Sequence, residues 1–285
     1  MPRLLAGFAA LPIALVLGAP AAEAGVRIER HLVYRHVGVA TLTLDAYLPS
    51  PAHGLRASVV FVHGGGWQAG DKTTFAPGQR PFAPAARRLV RAGFTVFSID
   101  YRLAPKDRFP AAVSDVGAAV EWLRTHAARF HVDPRRLALF GASAGGNLAA
   151  LAATEGHGRL DRGARVRAVV SWSGPMDLPR FDAELGGPTR RPFVESYLGC
   201  PPTSCPGRYK AASPVTHIDS TDPPTLIANS THEIVPLAQA EEMARRLADA
   251  HVPHQLLIIQ GSRHAADYQA EAWAATVRFL RRYLH

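Results

Sequence analysis

Metal-binding and nucleic-acid-binding signals are missing from this 285-residue chain. It has two cysteines, Cys200 and Cys205, and no histidine beside either. Two such thiols do not complete a four-ligand zinc site, so neither metal nor organic cofactor is expected. The formal net charge is +9, yet the basic residues are nearly all arginines scattered along the chain. Without a dense basic block, a zinc-finger spacing or a helix-turn-helix pattern, that charge reads as a solvated surface, and no nucleic-acid partner is expected. No apolar run beyond residue 24 approaches the roughly 20 residues needed to span a bilayer. No internal repeat is visible.

What is present is a globular composition, 47% hydrophobic and 19% charged, in a chain long enough for one large α/β domain. Residues 1–24 read as an export signal. Arg3 supplies the positive start, Leu4 to Leu17 is almost wholly apolar, and Ala22-Glu23-Ala24 is a small-x-small cleavage site. The expected mature chain, 25–285, would then lie outside the cytoplasm, secreted or in the cell envelope. An uncleaved N-terminal anchor is the alternative. An oxidising compartment predicts a Cys200–Cys205 disulfide.

Residues Val33–Arg35 and Leu42–Tyr47 read as a hairpin around Gly38. Continuous apolar runs follow at Ser58–Val62, Phe94–Ile99, Leu137–Phe140, Val166–Trp172, Thr225–Ala228 and Gln255–Ile259. Such runs suit strands buried on both faces. Helical periodicity separates them at Val113, Val116, Val120 and Leu123, at Ala240, Met243, Ala244 and Leu247, and at Trp273, Val277, Leu280 and Leu284. The alternation predicts a mostly parallel sheet with helices on both faces. It is interrupted once, by a loop-rich, proline-rich insertion at 178–224 that would sit over the strand ends. Its alternative role is mere connection.

Between the run ending at Phe140 and an alanine-rich helical run lies Gly141-Ala142-Ser143-Ala144-Gly145. A G-x-S-x-G between strand and helix is the signature of a nucleophile elbow, a turn tight enough to need small residues on both sides of the serine. His63-Gly64-Gly65-Gly66-Trp67 directly follows another buried run. A glycine triplet lets backbone N–H groups approach a substrate, so Gly65, Gly66 and the amide of Ala144 are the candidate oxyanion donors. His264 follows the last run, just before the final helix, and is the candidate base. His63 is expected to fix the glycine loop.

These pieces resemble the esterase/lipase type of α/β-hydrolase, near its hormone-sensitive-lipase-like and feruloyl-esterase-like branches. The similarity extends through Gly70-Asp71-Lys72, Asp100 to Pro105, Phe109 to Ala112 with Asp115, Gly141 to Asn147, Ser213-Pro214-Val215, Asp222 to Pro224 and Gly261 to His264. The resemblance implies the α/β-hydrolase fold and a serine ester hydrolase, with Asp100 and Asp115 structural. It also implies an acid in a D-x-x-V-P loop. Counting back from Val235-Pro236 puts His232 at that place, with Glu233 next. Glu233 shifted by one residue is the expected acid. Asp177 is the alternative, and a lost acid is a third possibility. The expected partner is a small-molecule or polysaccharide-linked ester. The rival functions are an amide hydrolase of the arylformamidase or peptidase kind, and a catalytically impaired binding protein on the same fold. Oligomeric state is not legible.

Overall fold

The computed structural model describes residues 25–51, 54–75, 81–184 and 191–285. The expected export segment, 1–24, and Gly186-Gly187-Pro188 of the insertion lie outside them. Eight strands form one sheet: β1 (Gly25–Val37), β2 (Ala40–Ser50), β3 (Arg56–Val62), β4 (Thr95–Ile99), β5 (Val132–Ala142), β6 (Ala168–Trp172), β7 (Thr225–Ser230) and β8 (His254–Ile259). Their spatial order is β1-β2-β4-β3-β5-β6-β7-β8. The first two make the predicted antiparallel hairpin, with Gly38 at φ +56° in its turn. β2 also runs antiparallel to β4. From β4 to β8 every neighbouring pair is parallel. This is the α/β-hydrolase fold.

The helices are α1 (Ala83–Arg91), α2 (Ala111–Thr125), α3 (Ala144–Thr154), α4 (Leu178–Glu184), α5 (Arg191–Leu198), α6 (Pro206–Ala211), α7 (Leu237–Asp249) and α8 (Gln269–Leu284). Strand side chains alternate between two cores, as the period-2 pleat requires. Val60 and Val62 of β3, with Leu137 and Leu139 of β5, pack with α2 and α3. Val59, Phe61, Ala138 and Phe140 face the other way, onto α1 and α8. Ile227 of β7 meets α7 together with Ala150 of α3. Helices therefore cover both faces.

Two departures from the sequence reading stand out. Helix α1 has no counterpart in it, because its apolar stripe is short and alanine-rich: Ala85, Ala86, Leu89 and Val90 are the residues it buries. The insertion, expected to be loop-rich, carries three short helices, α4 to α6. Prolines cut it into pieces shorter than a periodicity window. Each piece is held by a tertiary anchor rather than by propensity: Phe181, Val194, Tyr197, Leu198 and Tyr209 all join the α2–α3 core. Cys200 and Cys205 are bonded, Cα–Cα 6.2 Å, and close the link between α5 and α6.

Candidate active site

In a parallel sheet the loops leaving the carboxyl ends of the strands share one edge, and sites gather there. The loops after β3, β5, β6, β7 and β8 all do so here. After β5 the chain turns at Ser143, with φ +55° and ψ −125°, and enters α3 at once. A left-handed serine is strained, and its neighbours show why the turn holds. A Cβ on Gly141 would lie 2.0 Å from the Gly145 carbonyl oxygen, and one on Gly145 would lie 2.1 Å from that of Val62. Only glycine fits at both positions. The same contact presses the start of α3 against the beginning of the glycine loop. The Ser143 N–H donates to the Trp172 carbonyl at 2.8 Å, fixing the elbow to the end of β6.

The glycine loop bends through Gly65 (φ +123°) and Gly66 (φ +60°). Its frame is rigid. Gly64 N–H donates to Phe75 O at 2.8 Å, and the Gly65 carbonyl accepts from Gln68 and Ala69. Among the described residues the N–H groups of Gly65 and Gly66 have no acceptor. Ala144 is the first residue of α3, so its N–H is an orphan of the helix start. His63 is buried, stacks on Tyr101 at 4.2 Å and donates from Nδ1 to the Gly64 carbonyl at 2.7 Å. Burial pushes its pKa down to about 4, so the ring is neutral. It anchors the loop. Trp67 stacks on Tyr197 of α5 at 4.7 Å, and its Nε1–H reaches Asn147 Oδ1 at 3.3 Å. Helix α5 thereby lies over the glycine loop, and a Cβ on Gly66 would come within 2.7 Å of Phe193.

On the opposite side the loops after β7 and β8 meet. His264 Nδ1 pairs with Glu233 Oε2, whose side chain is 0% exposed. The other oxygen, Oε1, accepts from the Ser230 N–H and the Ser173 hydroxyl, each at 2.8 Å. His232, at the position the family spacing assigns to the acid, is exposed and uses its backbone N–H on the Gly261 carbonyl at 2.9 Å. Asp177 accepts from the Arg180 N–H at 3.1 Å, capping α4. The structure thus joins His264 to Glu233 and to neither rival. Asp100 holds Lys72 at 2.9 Å, and Asp115 holds Arg35 and Arg102; both work as buttresses.

Two more gaps between expectation and geometry belong here. Ser143 is half-buried, and no hydrogen bond joins its hydroxyl to His264 in this structure. Serine–histidine contacts of this kind often tighten only around substrate. Sequence reasoning also missed Ser230, Ser173 and Tyr268, which surround Glu233. Nothing in a single sequence marks them: Ser173 and Tyr268 arrive from separate loops, and Ser230 holds Glu233 through a backbone N–H that any residue but proline supplies. Among the described residues no cluster of three or more histidine, cysteine or acidic side chains could hold a metal ion.

The BD-FAE family model matches residues 44–247, spanning both glycine motifs and the loop of Glu233. The chain belongs to the BD-FAE family. This BD-FAE chain is 32% identical to Esterase LipQ of Mycobacterium tuberculosis (strain ATCC 25618 / H37Rv) over 241 residues, 81% of this chain and 54% of LipQ. It is 38% identical over 128 residues to Carboxylesterase NlhH of the same strain, 45% of this chain and 38% of NlhH. It therefore spans only part of these curated relatives. Among solved structures, a thermophilic esterase from Thermogutta terrifontis with propionate bound superposes with TM-score 0.69 at 26% identity, covering 92% of this chain and 94% of that one. A truncated carbohydrate esterase from gut microbiota superposes with TM-score 0.77 at 23% identity, covering 93% and 98%, which supports the shared fold. No described helix is long and apolar enough to cross a membrane.

Proposed function

We propose that the protein is a serine carboxylic-ester hydrolase working through an acyl-enzyme. The observation that carries this reading is the buried pairing of His264 Nδ1 with Glu233 Oε2, at the strand-end edge that also presents Ser143. With Nδ1–H committed to the carboxylate, the neutral ring keeps Nε2 free to accept a proton. Ser143 attacks the ester carbonyl while His264 Nε2 takes the hydroxyl proton. The carbonyl oxygen becomes an anion, and the N–H groups of Gly65, Gly66 and Ala144 hold it. Collapse expels the alcohol, which receives the proton from His264. Water then attacks the acyl-Ser143 ester by the same exchange, releasing acid and free enzyme.

The substrate class rests on neighbours and on the site mouth. The Thermogutta terrifontis esterase is described with propionate bound, and a Caldicellulosiruptor lactoaceticus neighbour as an acetyl ester-xyloside bifunctional hydrolase. We extend this to short acyl groups on a small or carbohydrate-linked alcohol. Phe193 of α5, 47% exposed against Gly66, provides an apolar wall for either side of that ester. The export signal and the cystine support an extracytoplasmic site of action.

The test is a chain-length series of p-nitrophenyl esters beside acetylated polysaccharide and feruloyl esters. Short acyl chains should give the highest kcat/KM, with a burst of p-nitrophenol that S143A abolishes. Full activity in S143A would sink the assignment. Faster turnover of formamides or short peptides than of any ester would replace it with an amide hydrolase.

A further inference from the structure

The Ser173 side chain bridges the two loops of the histidine–acid pair, bonding Glu233 itself and the residue that follows His264. It directly follows β6 and is 0% exposed. Its φ is +52°, a left-handed conformation that is strained for a non-glycine residue. The conformation carries Oγ between two loops. It lies 2.8 Å from Glu233 Oε1, 2.9 Å from the Ala265 N–H and 2.7 Å from Tyr268 Oη. Ala265 follows His264 directly and is itself left-handed, φ +46°. One hydrogen bond therefore joins two strained residues, one at each end of the pair.

Proton counting gives each contact its direction. Ser173 has a single O–H. The Ala265 N–H is a donor, so Oγ accepts there. An ionised Glu233 can only accept, so the Ser173 O–H goes to Oε1. Tyr268 Oη, also 2.9 Å from the Ala228 carbonyl, then divides its proton between that oxygen and Ser173 Oγ. The residue before Ser173 completes the set, because the Trp172 carbonyl receives the Ser143 N–H. The dipeptide Trp172-Ser173 thus contacts the segments of the nucleophile, the acid and the base.

We propose that Ser173 is a positioning residue. Its hydroxyl turns the Glu233 carboxylate so that Oε2 faces His264, and the Ala265 N–H holds that hydroxyl in place. The proposal rests on the acyl-transfer reading above. It accounts for an acid one residue later than the family spacing: the carboxylate is held by Ser173 and Ser230, within reach of Glu233, whereas residue 232 is exposed.

The experiment is a double-mutant cycle on p-nitrophenyl acetate with the full chain: S173A, S173G, E233A and S173A/E233A. Removing groups that orient metal-ligating side chains typically costs about 10–100-fold, and a loss of similar size is expected for a group that orients a carboxylate. S173A and S173G should each lower kcat by about tenfold or more, with KM within about twofold of the parent. The two variants should match although glycine relieves the backbone. In the E233A background, S173A should change kcat by less than about twofold, since its route of action is already gone. Parental kcat in S173G would show that Ser173 serves only as a left-handed residue. Equal losses with and without Glu233 would show general damage; either result overturns the proposal. Should S173A not fold, Y268F in the same cycle reads the coupling: a loss confined to the Glu233 background supports it, and any other result refutes it. A dead S143A beside a fully active S173A would fail this proposal alone, whereas an active S143A would fail the underlying reading.

Discussion

The elbow around Ser143 and the loop around Glu233 are built on different principles. The elbow is fixed by backbone sterics. Gly141 and Gly145 sit where a Cβ would lie 2.0–2.1 Å from a carbonyl oxygen, and this demand acts within one short motif. The Glu233 carboxylate is fixed by side-chain reach. Glu233 receives its hydrogen bonds from Ser230, three residues away, and from Ser173, sixty residues away. A steric requirement on neighbouring residues leaves a motif. A requirement met by any carboxylate that reaches a fixed set of donors leaves only a region.

That contrast predicts what each segment tolerates. The largest effects belong to the elbow. S143A should lower kcat by about 10⁵–10⁶-fold, the range seen when a serine nucleophile is removed elsewhere, measured by steady-state ester hydrolysis. The acid loop comes next. E233A should lower kcat by about 10⁴-fold. H232D in that background, which restores the family spacing, should recover less than about tenfold, because position 232 is exposed and its backbone is tied to Gly261. Recovery to near the parental rate would show that spacing, and not the Ser173–Ser230 cradle, places the acid.

A third prediction concerns the buttress under the glycine loop. His63 has its pKa lowered by burial to about 4 from an ordinary 6.5. The unfolded chain takes up this proton below pH 6.5 and the folded chain does not until about pH 4. The contribution is therefore present above pH 6.5 and lost as pH falls toward 4. The difference corresponds to about 3 kcal/mol. Asp222 works in the opposite sense, since burial raises its pKa to about 6 from 3.8 and favours the folded state as pH falls. The comparison is accordingly between the parent and H63N, whose amide can still reach the Gly64 carbonyl. Urea unfolding at pH 7 and 4.5 should show the parent losing more stability than H63N on acidification. Parallel losses would contradict a neutral, loop-anchoring His63. The smallest effect is expected at Asp177. D177A should cost about 1 kcal/mol or less through the lost cap on α4, visible as a small fall in thermal midpoint, and leave kcat unchanged.

Most of the fold was readable because strand burial repeats along the chain. Six apolar runs and the hairpin at Gly38 all correspond to strands. The unread parts were held by tertiary contacts. Helix α1 is too short and alanine-rich to declare itself, and α5 is pinned by the stack of Tyr197 on Trp67, a residue 130 positions away in the chain. In the site, the elbow and the glycine loop announced themselves through glycine. The environment of the acid did not, because Ser173, Ser230 and Tyr268 are ordinary residue types whose meaning depends on which loops meet.

The central claim is that His264 and Glu233 together activate Ser143. It is tested most directly by the rate of covalent modification by a fluorophosphonate, followed by intact mass and peptide mapping, for the parent, S143A, E233A and D177A. The account predicts a single adduct on Ser143 in the parent, none in S143A, a rate lowered by about 10²-fold or more in E233A, and the parental rate in D177A. An adduct on another residue, or E233A reacting at the parental rate, would contradict it.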